Sequence, residues 1–174
     1  ITGTESTVTA YLDGVQVGSG TSNHPLAQEN GDIYLGVNNW DAEFSGLMDD
    51  VEIYGEALTA GEISQIYVED LLAADAENLT VPAEVKWNMT LPAAGNSGQT
   101  TITWASSAEN VINPETGEVT RPAQEAGNAE VTLTATISDG SSQTVKEFTV
   151  TVLALNPDTD IDDYADQLTL NAGF

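Results

Sequence analysis

The segment Glu130–Ser138 constrains the fold more than any other part of the sequence, because apolar residues occupy every second position in it. Successive side chains of a β-strand point to opposite faces, so this alternation predicts a strand with one face in a core. The segment Gln143–Leu153 repeats the pattern after a turn at Asp139-Gly140. The two strands are predicted to direct the following residues inward: Val131, Leu133, Ala135, Ile137, Phe148, Val150 and Val152.

Short apolar runs separated by turn residues continue through residues 75–155. Turn signals lie at Gly95–Gly98 and Asn113–Gly117, and runs at this spacing are typical of an antiparallel β-sandwich. Trp87 and Trp104 are predicted to pack in its core, because a sandwich needs large apolar side chains between its sheets. The other predicted strands are Leu79–Val81, Val85–Leu91, Thr100–Ala105 and Glu118–Thr120.

Residues 1–74 are also rich in strand signals and end in one short helix. Asp13-Gly14 between two alternating runs predicts a two-residue hairpin loop. Further strands are predicted at Ile33–Val37 and Leu47–Tyr54. Thr59-Ala-Gly-Glu62 has the sequence of a helix capping box, and the apolar spacing after it predicts a helix from residue 60 to residue 73.

The charge of the chain excludes several classes of partner. The 174 residues carry 28 acidic and 3 basic side chains, a formal net charge of −25. Such a surface repels phosphate groups, so no nucleic acid is expected as a partner. No apolar run approaches about 18 residues, so no membrane insertion is expected either. The chain has no cysteine and a single histidine, which excludes thiolate chemistry and makes a Ser-His-Asp triad improbable.

Two stretches resemble known bacterial families. The first stretch resembles the C-terminal half of a laminin-G-like, concanavalin A-type jelly roll and comprises residues 11–20, 33–39 and 44–67. The residues that carry this resemblance are Gly46, Met48, Asp49, Asp50, Val51, Ile53, Tyr54, Ala57, Leu58 and Thr59. The second stretch, residues 101–152, resembles an atrophied bacterial immunoglobulin-like module through the runs ITWASS, TGEVTRP and VTLTAT. The resemblance implies an all-β fold, with a partial jelly roll followed by an immunoglobulin-like sandwich.

The resemblance also implies a function for the chain. Modules of this kind lie beside the catalytic domains of secreted glycoside hydrolases, notably the arabinanase and arabinofuranosidase enzymes with a five-bladed propeller. We therefore expect a non-catalytic carbohydrate-binding or spacer segment of a larger secreted bacterial enzyme, with a polysaccharide or glycan as its partner. The alternative is a structural or adhesive segment of a bacterial cell-surface protein built from tandem sandwiches.

Three regions follow from these patterns: a partial jelly roll at 1–74, an immunoglobulin-like sandwich at 75–155, and an acidic linker with the first strand of a further repeat at 156–174. Residues 165–170 (ADQLTL) echo residues 76–81 (AENLTV), which indicates the start of that repeat. A half jelly roll leaves edge strands uncovered. Its expected partner is the missing N-terminal half or another copy of the chain.

Candidate site residues lie in the first region. Trp40 follows Asn38-Asn39. An aromatic face beside carboxamides suits a sugar ring, because the C–H face of the ring is apolar and its hydroxyl groups need polar neighbours. The alternative is that Trp40 packs over the end of the jelly roll. Asp49 is expected on the apolar face of its strand, where a carboxylate is costly unless it is ligated or hydrogen-bonded. The resemblance implies that Asp49 binds a structural calcium. Two alternatives stay open: the Asp49 carboxylate accepts hydrogen bonds from backbone amides, or it is exposed to solvent.

The scarcity of lysine and arginine predicts a salt-loving source and a salt-dependent stability. Repulsion among the acidic side chains destabilises the folded state, and salt shortens the Debye length from about 10 Å at 0.1 M to about 3 Å at 1 M. The melting temperature should therefore rise between about 0.05 M and 1 M sodium chloride. Circular dichroism melts measure it, and an unchanged melting temperature would contradict the prediction.

Overall fold

The computed structural model describes residues 1–4, 6–21, 34–37, 40 and 42–156. The chain divides into two compact units, one from Ile1 to Val68 and one from Glu69 onward, and helix α1 (Ala60–Asn78) supplies residues to both. The predicted strand of a further repeat at 165–170 lies outside the described residues.

An antiparallel three-stranded sheet forms the first part of the first unit. Its strands are β1 (Thr2–Gly3), β2 (Thr7–Leu12) and β3 (Val15–Thr21), in that spatial order. Leu12 pairs with Val15, and the two residues between them have positive φ angles, 50° at Asp13 and 73° at Gly14. Two positive φ angles are what a two-residue type I′ loop requires, so the predicted hairpin is confirmed.

The two further strands predicted in the first unit are not formed in its described residues. Residues 34–37 and 42–58 carry no strand, Ile33 lies outside the described residues, and Leu47 is 100% exposed. None of the described side chains up to Val68 is fully buried. An alternating run becomes a strand where another strand pairs with its backbone. Among the described residues, no strand pairs with either of these two segments.

Helix α1 begins as predicted and ends later than predicted. The Glu62 carboxylate accepts hydrogen bonds from the Thr59 backbone N–H at 2.7 Å and from its hydroxyl at 2.8 Å, and the Glu62 N–H donates back to the hydroxyl at 3.3 Å. The capping box is therefore confirmed. The helix continues to Asn78, five residues past the predicted end, because Leu72 and Asp75 are buried in the second unit. Among the described residues, no helix is long and apolar enough to span a membrane.

The second unit is built on a four-stranded sheet in the order β4-β7-β6-β5. Its strands are β4 (Glu84–Val85), β5 (Thr101–Ser106), β6 (Ala129–Ser138) and β7 (Gln143–Val152). The antiparallel pairs β5–β6 and β6–β7 confirm the strands predicted at Thr100–Ala105, Glu130–Ser138 and Gln143–Leu153, to within one residue at each end. The residues predicted to face inward are fully buried except Phe148, which is partly buried against the same core.

The other predicted strands of this unit are mostly wrong. Residues 79–81 and 86–91 are not strands, and residues 118–120 contribute only the isolated bridge between Ile112 and Val119. The two residues of β4 run parallel to β7, whereas an antiparallel arrangement was expected. Single hydrogen bonds hold these segments instead, among them the Met89 N–H to the Gly117 carbonyl at 2.9 Å and the Val119 N–H to the Asn88 carboxamide at 2.9 Å.

The two tryptophans of the second unit have different surroundings. Trp104 packs against the core, with its ring 5.8 Å from that of Phe148, and its indole N–H donates to the Pro92 carbonyl at 2.8 Å. Its predicted core position is confirmed. Trp87 is half-buried outside the core cluster, with the Arg121 guanidinium carbon 6.0 Å from its ring centroid.

The close approach at Gly117 generates a stability prediction. Gly117 is buried with φ 70°, and a Cβ atom there would lie 1.9 Å from the Met89 carbonyl oxygen. Gly98 also has φ 70° but has nothing within 4 Å of a Cβ position. Changing Gly98 to Ala should cost only backbone strain, about 1–2 kcal/mol. Gly117→Ala should cost roughly 1–3 kcal/mol more, because the Met89 segment must move.

Urea unfolding followed by tryptophan fluorescence measures both variants, since Trp104 packs against the core. Because both glycines have the same φ, the difference between the two variants isolates the steric contact. Equal losses of stability would show that the Met89 segment moves without cost.

Candidate functional site

Trp40 is the exposed aromatic residue predicted to contact sugar. Its side chain is 87% exposed, which leaves an indole surface open to solvent. Asn38, Asn39 and Asp41 lie outside the described residues. The expectation that carboxamides flank the ring therefore stays a prediction, and so does the choice between sugar contact and packing over the end of the jelly roll.

Asp49 is not on a buried strand face. Residues 47–54 form no strand, Asp49 is exposed, and its carboxylate accepts a hydrogen bond from the Asp50 N–H at 3.0 Å. Asp50 has φ 47°, a left-handed conformation that ends any regular alternation of faces at this point. Among the described residues, no three acidic or histidine side chains lie close enough to hold a metal ion. A structural calcium at Asp49 stays a prediction.

Asp75 is a buried carboxylate that the sequence analysis missed. It lies in helix α1, is 3% exposed, and accepts hydrogen bonds from the turn at residues 95–100. The Ser97 N–H donates at 2.9 Å, the Ser97 hydroxyl at 2.6 Å and the Thr100 hydroxyl at 2.6 Å. No local pattern distinguishes Asp75 from the exposed acids of the same helix, because its partners lie more than twenty residues away.

The surroundings of Asp75 favour its charged form. Burial raises the pKa of Asp75, but the hydrogen bonds donated by Ser97 and Thr100 outweigh this effect, so the pKa lies below its usual value. The turn can approach this closely because residue 95 is glycine: a Cβ atom there would lie 2.1 Å from the Asp75 carboxylate. Helix and turn are thus joined through one charged group.

Two of the three basic side chains bind backbone carbonyl groups. The Lys146 ammonium contacts the carbonyls of Ala76, Glu77 and Leu79 at 2.6, 3.3 and 2.9 Å. These groups lie at the C-terminal end of α1, where the helix dipole favours a positive charge. Arg121 donates to the carbonyls of Leu153 and Ala154 at 2.8 and 2.6 Å. Both cations therefore have a structural role.

Comparison with known families matches each part of the chain to one family. Residues 1–64 match the concanavalin A-like lectin/glucanases superfamily, and residues 70–155 match the atrophied bacterial Ig domain. No curated protein shows a significant match. The two matches confirm the predicted resemblances and the all-β fold class; a propeller glycosidase as the parent protein stays a prediction.

The buried carboxylate generates a pH-dependent prediction. Because folding lowers the pKa of Asp75, its charge stabilises the fold above the pKa of the unfolded chain, and this contribution is lost as the pH falls through the lower pKa of the folded state. Asp75→Asn should reduce the free energy of unfolding by roughly 2–3 kcal/mol at pH 7. The difference from the unaltered chain should shrink below about pH 4.

Urea unfolding at several pH values between 7 and 2 measures this difference. The matched control is Asp70→Asn, an exposed acid of the same helix, which should change stability by less than about 0.5 kcal/mol. If Asp75→Asn lowers the free energy of unfolding by the same amount at every pH, then the shape of the side chain, and not its charge, stabilises the turn.

Proposed function

We propose that this chain is a non-catalytic carbohydrate-binding and spacer segment of a larger secreted bacterial carbohydrate-active enzyme. The observation that carries the proposal is the 87% exposure of Trp40 in a unit that matches the lectin/glucanase superfamily. An indole presents a large apolar face with one polar N–H group, which suits a ligand that is apolar on one face and polar at its edges. Both matched families are compatible with carbohydrate binding and with a spacer.

The proposed ligand of Trp40 is a neutral glycan. The indole offers an apolar face for the C–H groups of a pyranose, and the neighbouring residues Asn38 and Asn39 would supply hydrogen bonds to hydroxyl groups. The charge of −25 disfavours glycans that carry carboxylate or sulfate groups, because like charges repel over about a Debye length. Polysaccharides without charged groups are therefore the substrates to test first.

The proposed role of the second unit is that of a rigid module. Its core side chains on β6 and β7 are fully buried except Phe148, which is partly buried. Asp75, Lys146 and Arg121 each bind segments that lie more than twenty residues away in sequence. Such long-range contacts raise the free energy of local opening, and a spacer needs this resistance.

Glycan-array binding followed by calorimetry tests the role of Trp40. The full chain should bind at least one neutral plant or algal polysaccharide, and Trp40→Ala should weaken that binding at least tenfold, or about 1.4 kcal/mol. Trp40→Phe should retain part of the affinity, because it keeps an aromatic face.

Leu12→Ala is the matched control, since it removes an exposed apolar side chain of the same unit (64% exposed) that has no proposed contact with sugar. Its affinity should equal that of the unaltered chain. Absence of binding to every neutral polysaccharide would overturn the proposal in favour of the structural or adhesive segment.

A further inference from the structure

The second unit contains a small pocket between the end of helix α1 and the turn at residues 95–98. Its volume is about 160 Å³, below the roughly 300–1,000 Å³ typical of sites that enclose a drug-sized ligand. It therefore has room for a single ring. The residues that line it are Asp75, Asn78, Leu79, Thr80, Pro92, Ala94, Gly95, Asn96 and Ile102.

The lining divides into an apolar part and a polar part. Pro92 is half-buried and Ala94 is exposed, and they give the pocket an apolar surface. Leu79 and Ile102 also line it but are only 6% and 5% exposed. Asn78, Thr80 and Asn96 are exposed and give it polar groups. A pocket with both kinds of surface matches a ligand that also has an apolar face and hydrogen-bonding edges.

The three polar side chains keep hydrogen-bonding capacity. Asn78 uses its Nδ2 group to donate to the Ala74 carbonyl at 2.9 Å, which leaves its Oδ1 oxygen as an acceptor. Within the described part of the chain, the Thr80 hydroxyl and the Asn96 carboxamide have no hydrogen-bond partner. They offer donors and acceptors to a ligand.

Asp75 positions one wall of the pocket and does not itself contact a ligand. Its carboxylate accepts from the Ser97 N–H, the Ser97 hydroxyl and the Thr100 hydroxyl, and the Asn96 N–H also donates to it. These bonds occupy its acceptor sites. The turn that carries Asn96 is thereby held in one place before any ligand arrives.

The charged groups in and near the pocket limit the class of ligand that it can bind. A metal cation would find no free carboxylate in the pocket, since the acceptor sites of Asp75 are occupied, and the Lys146 ammonium already lies on the carbonyls of Ala76, Glu77 and Leu79. An anion would meet the buried charge of Asp75, and no basic side chain lines the pocket. A neutral ligand remains.

We infer that this pocket binds a single neutral sugar unit, with Pro92 and Ala94 against the ring and Asn78, Thr80 and Asn96 bonded to its hydroxyl groups. The inference does not rest on Trp40, because the pocket lies wholly within the second unit. The immunoglobulin-like module would then contribute to glycan recognition as well as to spacing.

Nuclear magnetic resonance of the full chain tests the inference. Glucose, galactose, xylose and arabinose are each titrated to about 50 mM, a range that detects weak binding. At least one sugar should shift the amide signals of Asn78, Thr80 and Asn96 and the indole signal of Trp104, whose N–H donates to Pro92 in the pocket lining. Absence of these shifts with all four sugars would overturn the inference.

Paired variants locate the site. Thr80→Val with Asn96→Ala removes two polar groups and leaves the backbone bonds to Asp75 in place, and it should weaken sugar binding at least tenfold. Thr90→Val, an exposed threonine of the same unit outside the pocket, should leave binding unchanged. Equal binding by the double variant and the unaltered chain would overturn the inference, provided that their melting temperatures agree.

Two further measurements distinguish a sugar site in this pocket from binding at Trp40 and from a cation site. Trp40→Ala should leave the shifts in the pocket intact even if it abolishes polysaccharide binding; loss of the pocket shifts in that variant would overturn an independent site. Calcium chloride at about 10 mM, an order of magnitude above weak extracellular sites, should not move the pocket signals. If calcium shifts them and no sugar does, the pocket is a cation site and the inference is wrong.

Discussion

The second unit depends on one buried charge. The Asp75 carboxylate is 3% exposed, and a charge so placed is stable only when hydrogen bonds replace the water it has lost. Those bonds come from the turn at residues 95–100. Helix α1 can therefore dock only when the turn is formed, and the turn closes only because Gly95 has no side chain. Helix end, turn and the pocket between them form as one cooperative element.

The few basic side chains explain how so acidic a chain maintains a compact module. With 28 acids and 3 basic residues, surface ion pairs cannot balance the charge. Lys146 and Arg121 are placed instead on carbonyl groups at the end of helix α1 and after β7. There a cation satisfies acceptors that would otherwise lack donors. The remaining negative charge disfavours anionic ligands at both proposed sites.

The two units differ in how far their sequence patterns become structure. Alternation in β6 and β7 predicted buried faces, and Val131, Leu133 and Val150 have no exposed surface, because each strand has a partner and a covering layer. The same kind of alternation at residues 47–54 predicted a strand that the described residues do not form. Asp49, expected on its buried face, is exposed for the same reason. A period of two specifies which side chains share a face, and the neighbours decide whether that face is covered.

Sequence alone determined the features whose partners lie a few residues apart: the Asp13-Gly14 hairpin loop, the capping box of Thr59 and Glu62, and the inward residues of the long strands. It also indicated the exposed Trp40 as a candidate contact. Tertiary structure alone decided that Asp75 is buried, that Lys146 caps a helix 70 residues earlier in the chain, and that β4 runs parallel to β7. The physical reason is that a single acidic or basic residue has the same local signature whether it is solvated or paired, and only the folded chain brings its distant partner within hydrogen-bonding range.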